Sequence, residues 1–371
     1  MAPLAKTDCL AGCSWRACLI KAGRTSNRMG VTLRDVAEYA GVSTAAASKA
    51  LNGRPDVSPH TRMRIINSVK ELGYRPKEAR GMISGGIITV VFDTLESAYA
   101  LRVLAGATRA AQSLGVHLHI MAEDFPLKAH KLFELDWFKS LAASGSRGVI
   151  VVTSGLTQKQ ADAATQCGIP LVMVDPARAT PRGVSSIGAT NWEGGLQATS
   201  YLIKIGHRRI GFLSGLESSV PNQERLQGYR SALDAAGIDF DPILVAGSGF
   251  RYEDGLAGAN QLLTMENRPT AIFAACDATA SAVLEVARKL GLAVPNDLSV
   301  IGFDDTELAT HSTPPLTTVH QSLDTMGASA VQACFDQSEH RNEVIPRVQL
   351  QVHLVERDST GAPPKLDSSS L

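Results

Sequence analysis

Several short apolar runs in this chain end on a carboxylate. Asp93 follows ITVVF (88–92), Asp175 follows PLVMV (170–174), and Asp304 with Asp305 follows LSVIGF (298–303). Asp277 follows TAIFA (270–274) after two small residues. In an open α/β sheet, ligands bind at the carboxyl ends of the strands, so the residues just past each run mark a candidate site. Each carboxylate alone reads as a helix cap. Several converging on one cleft, with an arginine and aromatic rings, suit bidentate recognition of sugar hydroxyls. Catalytic signatures are missing: there is no G-x-x-x-x-G-K-[ST], H-E-x-x-H or G-x-S-x-G. Gly247-Ser248-Gly249 fails the dinucleotide fingerprint because Tyr252 stands where its last glycine belongs. His207 lies just before a strand with no visible catalytic partner, which reads as a loop or capping role. The expectation is a binding protein with no catalytic residue and no cofactor.

The elements that must position these residues are set by the apolar pattern. The runs above, with GVIVV (148–152) and RIGFL (209–213), are short and uninterrupted, as strands buried on both faces of a parallel sheet are. Amphipathic stretches Leu101–Leu114, Gly195–Ile205, Arg225–Ala236 and Ala278–Leu290 lie between them, each followed by a glycine stop. Strand and helix alternate over 87–356, too long for one sheet, which predicts two doubly wound parallel α/β subdomains. VQLQVHLVE places Val348, Leu350, Val352 and Leu354 on one face, as one half-exposed strand would.

Charge separates one end from the rest. The 371 residues hold 36 Lys+Arg and 36 Asp+Glu, yet residues 1–80 carry 14 basic against 6 acidic. A basic head on an acidic body suits a polyanionic partner. The 44% hydrophobic content supports a full core. No run of 18 apolar residues occurs, so no membrane-spanning helix is expected.

Residues 30–76 predict three helices. Thr32 is an N-cap with Asp35 in the first turn, and Leu33, Val36, Ala37 and Ala40 form a helical stripe. Gly41 turns the chain, and Ser43 caps a second helix to about Leu51. Ser58 caps a third, with Pro59 at its first position. Met63, Ile65, Ile66, Val69 and Leu72 are expected on its buried side. Such a helix-turn-helix unit is small and marginal by itself.

VTLRDVAEYAGVSTAAASKALNG followed by VSPHTRMRIINSVKELGYRP resembles the head of the lactose-repressor/galactose-repressor family of transcription factors, over residues 31–76 without a gap. The resemblance continues through VDPARATPRGVSSIGATNWEGG, GHRRIGFLSG, RLQGY, RPTAIFAACD, VPNDLSVIGFDD and PPLTTVHQ. It implies a body similar to periplasmic sugar-binding proteins. It also implies that the second helix lies in the DNA major groove. Thr44, Ala45, Ser48 and Lys49 would then face bases or nearby phosphates, while Asn52, Val57, Ser58 and Thr61 would hold the backbone. Thr32 and Ser43, at helix starts, join the DNA-contact set. Where Thr-Val-Ser-Arg is usual, this chain has Ala46-Ala47-Ser48-Lys49, exchanging a bidentate arginine for a point contact. In the body the resemblance implies Asp175, Arg225, Phe250, Asp304 and Gln321 as effector contacts. Asp93, Asp277 and Tyr99 are further candidates, whereas Asn191 reads as a cap.

The neck KEARGMISGG (77–86) corresponds to a hinge helix that forms on the operator, with Arg80 beside it and Met82 (or Ile83) as a minor-groove wedge. Residues 1–28 are expected to be a disordered leader or a misassigned start. Cys9, Cys13 and Cys18 lack C-x-x-C spacing, so no metal is expected. The organisation predicted is a head over 29–76, the neck, and a body over 87–356. In the body, 87–189 with 320–342 form one subdomain and 190–319 with 343–356 the other. A disordered tail completes the chain over 357–371. The resulting expectation is a cytoplasmic homodimeric repressor of carbohydrate-use genes, released from a palindromic DNA operator by a sugar or oligosaccharide. A purine or other non-sugar corepressor on the same architecture is the alternative. A sugar-binding transport protein would need an export signal and no basic head, and both conditions fail.

Overall fold

A computed structural model of the chain describes residues 32–51, 57–72, 86–123, 132–339 and 347–364. The chain divides into two compact units, residues 1–81 and 82–371. The leader, most of the neck, Asn52, Arg80 and Met82 lie outside the described residues.

The head unit holds α1 (Leu33–Tyr39), α2 (Thr44–Leu51) and α3 (Pro59–Leu72). Thr32 and Asp35 close a capping box: the Asp35 amide donates to Thr32 Oγ1 and the Thr32 amide donates to Asp35 Oδ2 at 2.7 Å. The core is small, with Val36, Ala40, Ala50 and Ile65 buried and Leu33, Val42, Val57, Val69 and Leu72 packed around them. The expected buried side of α3 is corrected at two positions. Met63 is 62% exposed and Ile66 37%. The reason is size: a three-helix unit offers α3 only a narrow contact, whose buried centre is Ile65 and Ser68, with Val69 and Leu72 packed beside them.

The body unit is two lobes of the same design. In the first, β1 (Ile87–Phe92), β2 (His117–Ala122), β3 (Ser146–Val152), β4 (Leu171–Val174), β5 (Ser185–Ala189) and β11 (Val348–Leu350) form a sheet ordered β11-β5-β4-β3-β1-β2, parallel throughout. It is flanked by α4 (Ala98–Leu114), α5 (Leu135–Ala143), α6 (Gln158–Gln166) and the late α12 (Leu323–Glu339). In the second, β6 (Ile210–Leu213), β7 (Val245–Ala246), β8 (Ala271–Ala274), β9 (Ser299–Asp304), β10 (Thr317–His320) and β12 (His353–Val355) are ordered β12-β10-β9-β8-β6-β7, with β12 antiparallel. Its helices are α7 (Asn191–Lys204), α8 (Val220–Ala235), α9 (Tyr252–Leu263), α10 (Asp277–Lys289) and α11 (Glu307–His311).

Two boundaries differ from expectation. The alternating stretch at 347–355 is two short strands, one in each sheet, so Val348–Leu350 belongs with the first lobe. Alternation cannot distinguish one strand from two collinear ones on different sheets. Within the expected disordered tail, residues 357–364 are ordered. Ser359 is wholly buried, its carbonyl accepts from the Val300 amide at 2.9 Å and its hydroxyl accepts from the Thr317 amide at 2.8 Å. Small polar residues there satisfy amides at the starts of β9 and β10, a role that composition alone does not reveal.

Candidate functional site

At the carboxyl ends of the two sheets lies a cleft of about 870 Å3, lined from both lobes. The first lobe supplies Asp93, Tyr99, Thr153 and Asp175, and the second supplies Arg225, Phe250 and Asp304. Tyr99, in the first turn of α4, donates its hydroxyl to Asp175 Oδ2 at 2.7 Å. Thr153 donates its hydroxyl to Asp93.

Arg225 is the best-defined group. Ser219 caps α8 and Pro221 sits in its first turn, so the helix begins well before the expected Arg225 and carries that residue on an interior turn. Gly195 of α7 and Gly228 of α8 let the two helices meet backbone to backbone. A Cβ at position 228 would lie 2.1 Å from the Trp192 carbonyl oxygen. The Arg225 guanidinium is 4% exposed and lies 3.8 Å over the Phe303 ring. Its Nε donates to Asn191 Oδ1 at 2.8 Å and its Nη1 donates to the Ala275 carbonyl. Nη1 also lies 3.9 Å from Asp304 Oδ1. Among the described residues Nη2 has no partner, which leaves half of the fork for a ligand.

Burial shifts the pKa of both cleft carboxyls upward. Asp304 is 6% exposed, and desolvation pushes its pKa well above the usual carboxylate range, against the pull of Arg225 and with added repulsion from Asp277. Burial likewise raises Asp175, opposed by Arg225 and by the Tyr99 hydroxyl. The Tyr99 phenol is pushed up by its own burial and by the neighbouring Asp175. Buried polar groups of this kind gain from donors and acceptors that replace the hydrogen bonds lost with water, which the hydroxyls of a polyol supply. Strain is concentrated at the same place: Thr153 (φ 57°), Asp175 (φ 42°) and Asp304 (φ 112°) all have left-handed backbones. Non-glycine residues held there cost about 1–3 kcal/mol each, and they cluster at ligand clamps.

Two expected contacts are corrected. Asp277 and Gln321 are buried but do not line the cleft. Asp277 accepts from the Thr306 amide at 2.7 Å and from the hydroxyls of Thr306 and Thr318, tying α10 to the loop after β9 and to β10. Gln321 donates its side-chain amide to Asp304 Oδ1 at 2.6 Å. Both are polar residues at strand ends, but they face the inside of the second lobe. Asn191 is not the expected cap. It is the first residue of α7, after the N-cap Thr190, and its side chain holds Arg225. A polar helix start gives the same pattern for caps and for such buried partners, so the sequence offers no signal for it. His207 stands in the loop between α7 and β6, as expected, and it is anchored there. It is fully buried and bonded to Thr270 Oγ1, Ser299 Oγ and the Gly361 carbonyl, which fastens the ordered tail.

In the head, the Ala46 amide donates to Ser43 Oγ at 3.1 Å, so Ser43 does cap α2. Thr44, Ala45 and Lys49 are exposed on α2 and Ser48 is half-buried, while Ala47 and Ala50 turn inward. Ser58 caps α3, and its hydroxyl meets Thr61 Oγ1 at 2.8 Å. Val57 packs against the head core. The exposed set has the size and polarity of a helix that reads a groove.

Residues 32–77 match the family model for bacterial regulatory proteins of the lacI family, and residues 199–360 match a periplasmic binding protein-like domain. The HTH-type transcriptional regulator CelR of Thermobifida fusca is 34% identical over 332 residues, covering 88% of this chain and 98% of that protein. Catabolite control protein A of Priestia megaterium is 30% identical, covering 82% and 91%. Among solved structures, the CelR–cellobiose complex superposes with a TM-score of 0.66 at 31% identity, over 89% of this chain and 99% of that one. A Lac repressor dimer bound to operator and the anti-inducer ONPF gives 0.70 at 29%, over 90% and 100%. With the head matching the lacI model and a 34% identical relative covering 88% of the chain, this chain belongs to the lacI family and is a transcriptional regulator with a helix-turn-helix DNA-binding domain.

Proposed function

We propose that the chain is a cytoplasmic, homodimeric repressor of carbohydrate-use genes that binds a palindromic operator and releases it when a sugar or oligosaccharide occupies the cleft. It works by binding, without turnover. The observation that carries this reading is the cleft chemistry. A buried half-free guanidinium faces desolvated carboxyls, with Phe250 as an apolar wall. Hydroxyl groups satisfy both kinds of partner, and a sugar's apolar face suits the ring. Cellobiose bound to CelR makes a disaccharide the first probe. Thr44, Ala45, Ser48 and Lys49 are the base- and phosphate-facing set of each head, and the neck around Met82 is the minor-groove element.

The test is a titration of the full-length chain onto a duplex that the chain itself selects from a random-sequence pool. Binding weakens steeply with salt, because lysines and arginines displace counterions from phosphates. Cellobiose weakens it further. A flat salt response removes operator binding, and indifference to cellobiose and to a wider saccharide panel removes the sugar. A purine that instead tightens binding transfers the site to the corepressor alternative.

A further inference from the structure

Three stretches of chain pass between the lobes: residue 190, residues 321–322 and residues 351–352. The first and third are bonded to each other, with the Thr190 amide donating to the Leu350 carbonyl at 2.9 Å and the Val352 amide donating to Thr190 Oγ1 at 3.3 Å. Asn191 stands directly after the first crossover. Its Nδ2 donates back to the Ala189 carbonyl on β5 at 3.2 Å, and its Oδ1 accepts from Arg225. Gln321 opens the second crossover, and its Nε2 donates to Asp304. That Asp304 oxygen is the one that faces Arg225 Nη1. One polar line therefore runs from crossover to crossover through the charged pair of the cleft, and all four members are at most 6% exposed. Asn191 and Gln321 do not line the cleft. Gln321 Oε1 is buried with no hydrogen-bond partner among the described residues.

We propose that Asn191–Arg225–Asp304–Gln321 is a buried relay through which occupancy of the cleft sets the crossovers, with Asn191 and Gln321 as positioning residues. The inference rests on the effector reading above and assigns the regulation of that site. A ligand that bonds the open Nη2 of Arg225, or Asp304, draws those groups away from the partners they hold now. In a desolvated line no group can be left unpaired cheaply, so a change of partner at the centre is felt at both ends. The orphaned Gln321 oxygen gives the line an unsatisfied position from which a second arrangement can gain.

The experiment uses the full-length chain, its selected duplex and cellobiose, and reads the ratio of duplex affinities without and with sugar. Asn191→Leu and Gln321→Leu are expected to bring that ratio close to one while duplex affinity without sugar stays within about threefold. Asn191→Asp keeps the acceptor for Nε, through which the line runs, and gives up only the return bond to the Ala189 carbonyl, so it should retain most of the ratio. Gln321→Glu loses the donor and sets a carboxylate against Asp304, with Arg225, Asp175 and Asp277 the other charges around that group. It should lose the ratio at about pH 8 and regain it at about pH 5, where the new carboxyl, its pKa raised by burial beside Asp304, carries a proton. A merely structural role predicts the same loss in every variant at every pH, and that result overturns the relay. Amide exchange of the sugar-free chain is a second readout. Asn191→Leu should speed exchange at Leu323 and Met326, whose amides bond the carbonyls of Gln321 and Ser322, and Asn191→Asp should not. Unchanged exchange at both amides also overturns it. If the unsubstituted chain ignores cellobiose, the sugar reading fails and the exchange result alone decides the relay.

Discussion

In the head, three of the four α2 side chains assigned to recognition are exposed and stand on a helix held by a handful of buried residues. Thr44, Ala45 and Lys49 face outward, while Ala47 and Ala50 of the same helix pack inward. In the cleft the arrangement is reversed: Asp175 and Arg225 are 4% exposed, and both depend on neighbours from other elements. A duplex is a large, rigid, highly charged partner, so a solvated lysine reaches it by long-range attraction that salt screens. A small polar molecule offers a few hydroxyls, and only desolvated, pre-aimed groups extract enough free energy from them. Two kinds of partner therefore select opposite burial for the residues that meet them.

Four measurements set the two regions against each other. The largest expected effect is Gly228→Ala. The new Cβ meets the Trp192 carbonyl and the Leu196 amide of α7, both backbone, so α8 must move away and Arg225 with it. A loss of about 3 kcal/mol or failure to fold is expected by thermal melting, without change in the head. Arg225→Ala comes next. It removes charge-assisted bonds in a buried site and should weaken cellobiose by about 10–100-fold in calorimetry, with near-normal affinity for the selected duplex. Lys49→Ala tests the exposed side of the contrast: the slope of log affinity against log salt should fall by about one, uniformly across sequences. The smallest effect concerns acid. Burial lowers the pKa of His207 from 6.5, against a bond to Gly361. The unfolded chain therefore binds the extra proton first, so His207 contributes stability above about pH 6.5 that is lost as pH falls through that region. The melting temperature should drop on acidification, and His207→Gln should shrink the drop. A drop of unchanged size would assign the acid sensitivity to other groups.

Legibility in the sequence tracks the range of the interactions. The caps at Thr32, Ser43 and Ser58 rest on contacts three residues apart, and all three are readable. The carboxylates after β1, β4 and β9 are readable as strand-end residues because the apolar runs before them are unmistakable. The strands β2, β5, β7 and β10 are not: His, Ser, Gly and Thr in them dilute the apolar signal, and β7 is two residues long. Asp277 and Asp304 look alike in sequence. Their difference lies in three hydroxyl and amide donors around Asp277, contributed by residues about thirty to forty positions away.

Order along the chain thus determined what kinds of element form, where they start, and which polar side chains crown each strand, since each of these is decided by neighbours within a few residues. Which of those side chains open onto the cleft, which lock a lobe, and which hold Arg225 was settled only when the sheets were stacked and the crossovers threaded. Burial and partnership are properties of distant residues brought together, and a buried polar group takes its meaning from whatever partner the fold delivers.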